Sequence, residues 1–222
     1  SAARSRNRDT IIKIFDQKYE HWTAIENLLH LTKIVGFMKN LDRFLLTGSM
    51  TGIALLATFT GVKAQEFVST SPQNKDVVLE EFTGLNCQYC PQGHKIAQQI
   101  KSNNPGDVVL INIHAGGFAR PSGNQQDFRT DVGQQLNNAL GVSSYPAATI
   151  NRTDFGGTTV FGRGEWENKA NQVLQESSPV NVAVRTSVDP EKREITAEVE
   201  AYYTDSSEAA TNKLNVALLE ND

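Results

Sequence analysis

Two cysteines occur in the chain of 222 residues, and they stand three apart in Cys87-Gln88-Tyr89-Cys90, with Pro91 directly after. Two sulfurs at this spacing can close a small disulfide with little backbone movement. The pair lies between an apolar run, Val77-Val78-Leu79-Glu80-Glu81-Phe82, and a helical pattern from about Cys90 to Ser102. A C-x-x-C placed there is a redox arrangement. The first sulfur sits where unpaired N–H groups and the helix dipole favour thiolate over thiol. On this reading Cys87 attacks and Cys90 resolves the mixed disulfide. The same two residues also suit a static disulfide, or a metal clip with His94 and His114. A structural zinc wants four ligands, and His114 would have to reach in from the next strand. Haem attachment needs His directly after the second Cys, where Pro91 stands. Gln88-Tyr89 holds no basic residue to stabilise a thiolate strongly.

The elements that must position this pair follow in order. Val77 to Phe82 reads as a buried strand, and Pro91 falls in the first helical turn, where a missing N–H costs little. Asn103-Asn104-Pro105-Gly106 ends that helix. Val108 to Ile113 reads as a second buried strand, and His114-Ala115-Gly116-Gly117 opens a loop. Gln125 to Leu140 reads as a helix with Phe128, Val132, Leu136 and Leu140 as an i, i+4 stripe. A short strand Ala147 to Asn151 follows, with Thr158 to Phe161 as its hairpin partner. Gly164 to Ser177 closes the unit as a helix burying Trp166, Ala170 and Val173. Strand, helix, strand, helix, strand, strand, helix over 77–177 is an α/β domain. Within it Tyr145, Phe161 and Trp166 read as core, and one of Glu80 and Glu81 is expected to face outward.

Composition changes at Ser178-Pro179. Val180 to Val188 and Ile195 to Tyr203 alternate, Asp189-Pro190-Glu191-Lys192 turns between them, and Leu214 to Leu219 reads as a third run. Residues 178–222 therefore read as the start of an all-β, sandwich-like domain that is truncated at Asp222. At the other end, Met38 to Ala64 has a basic start, an interrupted apolar stretch through Ile53-Ala54-Leu55-Leu56-Ala57, and small residues before Gln65. That is a signal-peptide pattern, too short for a membrane span of about 20 residues. Residues 1–37 then read as upstream, non-native sequence, although Ile11 to Leu31 has helical amphipathicity. Gln65 to Asp76 reads as a flexible mature N-terminus. No Cys lies near the cleavage point, so membrane association through a lipidated Cys is not supported. Export implies an oxidising compartment, where disulfide chemistry matters most.

Three separated points resemble the thioredoxin superfamily. Glu81 stands six before Cys87, where that family carries a buried acid beneath the disulfide, and Phe82 follows it. Cys87 and Cys90 match the motif. Val142 to Pro146 resembles the turn before the family's cis-proline, which puts Tyr145 and Pro146 beside the sulfurs as a substrate-binding edge. The longer span from Cys90 to Pro146 is absorbed by Gly116 to Asp131. Glu80 to Gly84, Cys90 to His94, Tyr145-Pro146 and Asn151-Arg152 resemble more closely the 28-kilodalton outer-membrane protein family, which joins a thioredoxin-like domain to a C-terminal β domain. The resemblance runs from Val77 to the end of the chain. It implies a periplasmic, outer-membrane or cell-surface location. It also implies a buried Glu81 with a raised pKa that accepts the Cys90 proton.

Charge narrows the partners. Residues up to Ala64 carry nine Lys/Arg against five Asp/Glu, and from Gln65 onward twelve against twenty, or +4 and -8. An acidic body argues against nucleic acid, which needs a basic stripe. No P-loop or G-x-G-x-x-G is present, and no cofactor is implied. The expected function is an exported thiol-disulfide oxidoreductase whose partners are protein thiols and disulfides or an envelope redox partner. The alternative is a non-catalytic envelope binding or adhesion protein with a structural disulfide.

Overall fold

A computed structural model of the chain describes residues 67–207 and 212–219. The segments read as upstream sequence and signal peptide lie outside the described residues. Among those described, no helix is long and apolar enough to cross a membrane.

The apolar run after Asp76 becomes β2, Val77–Thr83, and every one of its residues is buried. A strand can be apolar along its whole length only where both of its faces are covered. It lies parallel to β3, Val108–His114, on one side and antiparallel to β4, Ala147–Ile150, on the other. With β5, Phe161–Gly162, the sheet order is β3-β2-β4-β5. Helix α1, Cys90–Asn103, connects the two parallel strands, α2, Asp131–Ala139, leads to β4, and α3, Trp166–Leu174, follows β5. Alternation along β2 divides the core. Val77 and Leu79 pack with Ala97, Ile100, Trp166 and Val173, whereas Phe82 packs on the opposite face with Ile113 and Leu136. This is the thioredoxin-like α/β fold expected from the sequence, followed by a further β region.

Several boundaries differ from the sequence reading. Helix α2 starts at Asp131 rather than near Gln125, because Thr130 is extended and its side chain accepts a hydrogen bond from the Gly133 N–H at 3.0 Å. Upstream, the Asp127 carboxylate holds the Arg129 N–H at 3.0 Å, and such local bonds compete with helix. Phe128 therefore leaves the helical stripe and packs on the His114 ring, with centroids 5.2 Å apart. Of the hairpin partner expected at Thr158 to Phe161, only Phe161 pairs, while Phe155 and Thr158 close a turn. Residues 177–203 give β6, Ser177–Ser178, and a two-stranded ladder of β7, Val180–Asp189, and β8, Glu194–Tyr203. The third run expected at Leu214 to Leu219 forms no strand, and Leu214 and Leu218 are exposed.

The lead-in expected to be loose makes specific contacts. The N–H groups of Phe67 and Val68 donate to the Glu200 carboxylate at 2.6 and 3.0 Å, and the Asn181 amide donates to the Ser69 and Ser71 carbonyls. Residues Gln73–Asn74 form β1 and pair antiparallel with β6.

Neither of the consecutive glutamates of β2 faces outward. Glu80 and Glu81 are 3% and 0% exposed, on opposite faces of a doubly covered strand. The Arg152 guanidinium grips Glu80 with both Nε and Nη2, and the Thr149 hydroxyl donates to Glu80 Oε2 at 2.8 Å. Removing one partner of such a pair strands a buried charge, which costs about 3–5 kcal/mol. Arg152→Met should therefore lower the free energy of unfolding by about that amount at neutral pH. Glu80→Gln added to Arg152→Met should recover a good part of the loss in urea titrations. Equal stability of wild type and Arg152→Met would show the pair to be energetically idle.

Candidate active site

Cys87 and Cys90 are joined in a disulfide, with their Cα atoms 5.4 Å apart. The turn carrying them is tightly wound. The Cys87 N–H donates to the Gly84 carbonyl at 3.1 Å and the Cys90 N–H to the Cys87 carbonyl at 3.4 Å. Pro91 occupies the start of α1, as the sequence predicts. A strap from the loop after β3 holds this turn. Gly84 lies so close to the backbone of Phe118 and Ala119 that no Cβ fits there. Asn86 donates from its N–H to the Phe118 carbonyl (3.0 Å) and from its side chain to the Arg120 carbonyl (2.7 Å). Cys87 retains 7% of its surface exposure and Cys90 1%, so access to the disulfide runs through Cys87.

Glu81 and Pro146 meet the first turn of α1 at a single residue. A Cβ on Gly93 would stand 2.7 Å from Glu81 Oε1 and 2.9 Å from Pro146 Cγ, so only glycine lets the helix settle on both. The Tyr145-Pro146 peptide is cis. Tyr145 itself donates its hydroxyl to Asn137 and meets Phe118 edge-on at 5.9 Å. The structure thus brings Glu81 and Pro146 against the helix that begins at Cys90, and joins Tyr145 to the strap over the cysteine turn.

Burial sets the electrostatics of this end of the sheet. Neither Glu81 oxygen has a hydrogen bond, and burial pushes the Glu81 carboxyl up from 4.5 to about 8. Its near neighbour is His94, whose Nδ1 stands 3.3 Å from Glu81 Oε2 in ion-pair range but without hydrogen-bond alignment. Burial also holds the His94 imidazole below its usual pKa, and His114 is lowered by burial and by His94. All three groups are driven toward their neutral forms.

The metal clip finds no counterpart in this arrangement. Both sulfurs are spent in the disulfide, His94 turns to Glu81 and Thr83, and His114 stacks on Phe128. Among the described residues no three His, Cys, Asp or Glu side chains gather as a metal set. Sequence reasoning missed three participants. Thr83 bonds the His94 ring at 3.2 Å, and its position two after Glu81 on β2 was the available signal. Arg163 lies over the exposed Tyr89 ring at 5.5 Å and donates to Gln92 at 2.9 Å, a cation beside the motif that no local pattern announces. Phe118 came from a loop without periodicity.

No family model matches the chain, and no curated protein matches it. Among solved structures, the chain is similar to HBP35 of Porphyromonas gingivalis at 20% identity and a TM-score of 0.38, over 52% of this chain and 38% of that one. A protein from Agrobacterium tumefaciens aligns at 15% identity and a TM-score of 0.40, over 68% and 75% of the two chains. An oxidized DsbA1 point mutant aligns at 16% identity and a TM-score of 0.31, over 50% and 90%. The chain therefore spans less than half the length of HBP35.

Proposed function

We propose that the protein is an exported thiol-disulfide oxidoreductase of the cell envelope, acting on protein cysteines through Cys87 and Cys90. One observation carries the reading: a C-x-x-C disulfide stands at a helix start that rests on a buried acid, Glu81, without a hydrogen-bond partner. A carboxyl kept neutral at physiological pH is a proton store. The export pattern before Gln65 and the resemblance to the outer-membrane family support the envelope assignment, with Tyr145 and Pro146 as the edge that receives the substrate chain.

The exchange balances as follows. A substrate thiolate attacks Cys87 Sγ, the Cys87–Cys90 bond breaks, and Cys90 leaves as a thiolate that takes the Glu81 proton. A second substrate thiolate then attacks the substrate sulfur of the mixed disulfide and expels Cys87 as a thiolate. The substrate dithiol is oxidised to a disulfide and the protein disulfide is reduced, two electrons passing between them. Run backwards, the same steps reduce a substrate disulfide.

A second reading, a binding protein with an inert disulfide, is favoured by the burial of both cysteines. Glutathione titration separates the two. The oxidoreductase should show a potential in the range of catalytic pairs, about -120 to -270 mV, and should reduce insulin, with Cys87→Ala inactive. A potential below about -300 mV with no insulin reduction would sink the enzyme reading.

Glu81 supplies an independent check. Its folded pKa of about 8 lies above the ordinary 4.5. Its contribution to stability is therefore full below about 4.5 and is lost as pH rises through about 8. The oxidised protein should lose a few kcal/mol of stability between pH 5 and pH 8, read by urea unfolding, and Glu81→Gln should flatten that slope. An unchanged slope in Glu81→Gln would contradict a neutral buried carboxyl.

A further inference from the structure

We propose that His94 is a proton-relay residue that carries the Glu81 proton to and from solvent during thiol-disulfide exchange. The inference rests on the oxidoreductase reading and adds a route to it. Glu81 has no surface of its own, so a proton it gains or gives must cross a neighbour. His94 is the neighbour with both contacts. Its Nδ1 stands 3.3 Å from Glu81 Oε2, and its side chain keeps 38% exposure. It lies four residues after Cys90, on the helix face that packs over β2.

The second ring nitrogen makes the relay reversible. Nε2 lies 3.2 Å from Thr83 Oγ1. A hydroxyl both donates and accepts, so Thr83 holds the imidazole in either tautomer, which a backbone carbonyl could not do. Before the resolving step Glu81 passes its proton to Nδ1 as Nε2 releases one to water. Cys90 then gives its proton to the Glu81 carboxylate as its sulfur attacks Cys87 Sγ and the substrate thiolate departs, which leaves Glu81 neutral in the oxidised protein. When the disulfide is opened instead, Glu81 protonates the departing Cys90 thiolate, and its carboxylate regains a proton from Nδ1 as Nε2 takes one from water. One proton moves between Cys90 and solvent each time, and the ring recovers its tautomer by exchange with water at its exposed edge. Among the described residues, the titratable and polar groups set against the ring are Glu81 and Thr83 from β2 and His114 from β3, and Cys90 stands four positions earlier on its own helix. A neutral ring suits the role, because an imidazolium locked to a carboxylate would hold the proton rather than hand it on.

Single-turnover reaction of the full chain with dithiothreitol, followed in stopped flow across pH 6–9, tests this. His94→Gln keeps an amide in the pocket but cannot pass a proton. It should slow disulfide opening about tenfold or more near neutrality, and added imidazole should restore much of the rate. In Glu81→Gln imidazole should restore nothing. Wild-type rates in His94→Gln at every pH, or a slow variant that imidazole leaves slow, would overturn the relay while the oxidoreductase reading stood. A wild-type disulfide no more reactive than that of a short peptide would overturn both. Should His94→Gln fail to fold, the wild-type rate in mixed light and heavy water decides. A curved dependence on deuterium fraction supports protons moving in concert, and a straight line refutes it.

Discussion

Two carboxyl groups on consecutive residues of a strand with no solvent on either face set the conditions for everything built around it. An isolated buried carboxylate is too costly to persist, so each must be paired or kept neutral. Because neighbouring side chains of a strand point to opposite faces, Glu80 and Glu81 cannot share one remedy. Glu80 is gripped by the Arg152 guanidinium and the Thr149 hydroxyl. Glu81 has no cation of that kind, and burial keeps its proton on. One wall of the sheet thereby holds a fixed ion pair and the other a neutral carboxyl.

Strand β4 serves both walls. It begins directly after Pro146, which rests on Gly93 beside Glu81, and it carries Thr149 and leads into Arg152, which hold Glu80. Its register sets Glu80 opposite Thr149 and Glu81 opposite Ala148. A slip of one residue would turn each side chain to the wrong face. The ion pair and the disulfide's surroundings therefore stand or fall with the same hydrogen-bond ladder.

Much of this was legible in the chain itself. Continuous apolar runs announced β2 and β3, and Pro91 announced the helix after the cysteines. The placing of Glu81 and Pro146 beside that helix came from resemblance rather than periodicity. Contacts made by tertiary packing alone were not legible. The stripe through Phe128 imitated a helix because Phe128 is spaced correctly, yet the Asp127 carboxylate and the Thr130 cap claim the backbone there first. The pair Glu80-Glu81 suggested a half-exposed strand because alternation is the usual rule, and Arg152 lies 72 positions further on. His94 was weighed as a ligand because its type and spacing fit one. The carboxyl and hydroxyl that face its two nitrogens come from β2, which no pattern on the helix encodes.

The segment before β2 has a mechanical meaning. It is anchored to Glu200 on β8, to Asn181 on β7 and to β6, and Lys75 is bridged to Glu176 at 2.6 Å. Tension applied at Phe67 would meet these side-chain and edge-strand bonds before any other contact of the lead-in. The parallel seam between β2 and β3, and the disulfide above it, lie downstream of that load. The lead-in is placed as a strain relief, like the sleeve on a cable, between Phe67 and the disulfide.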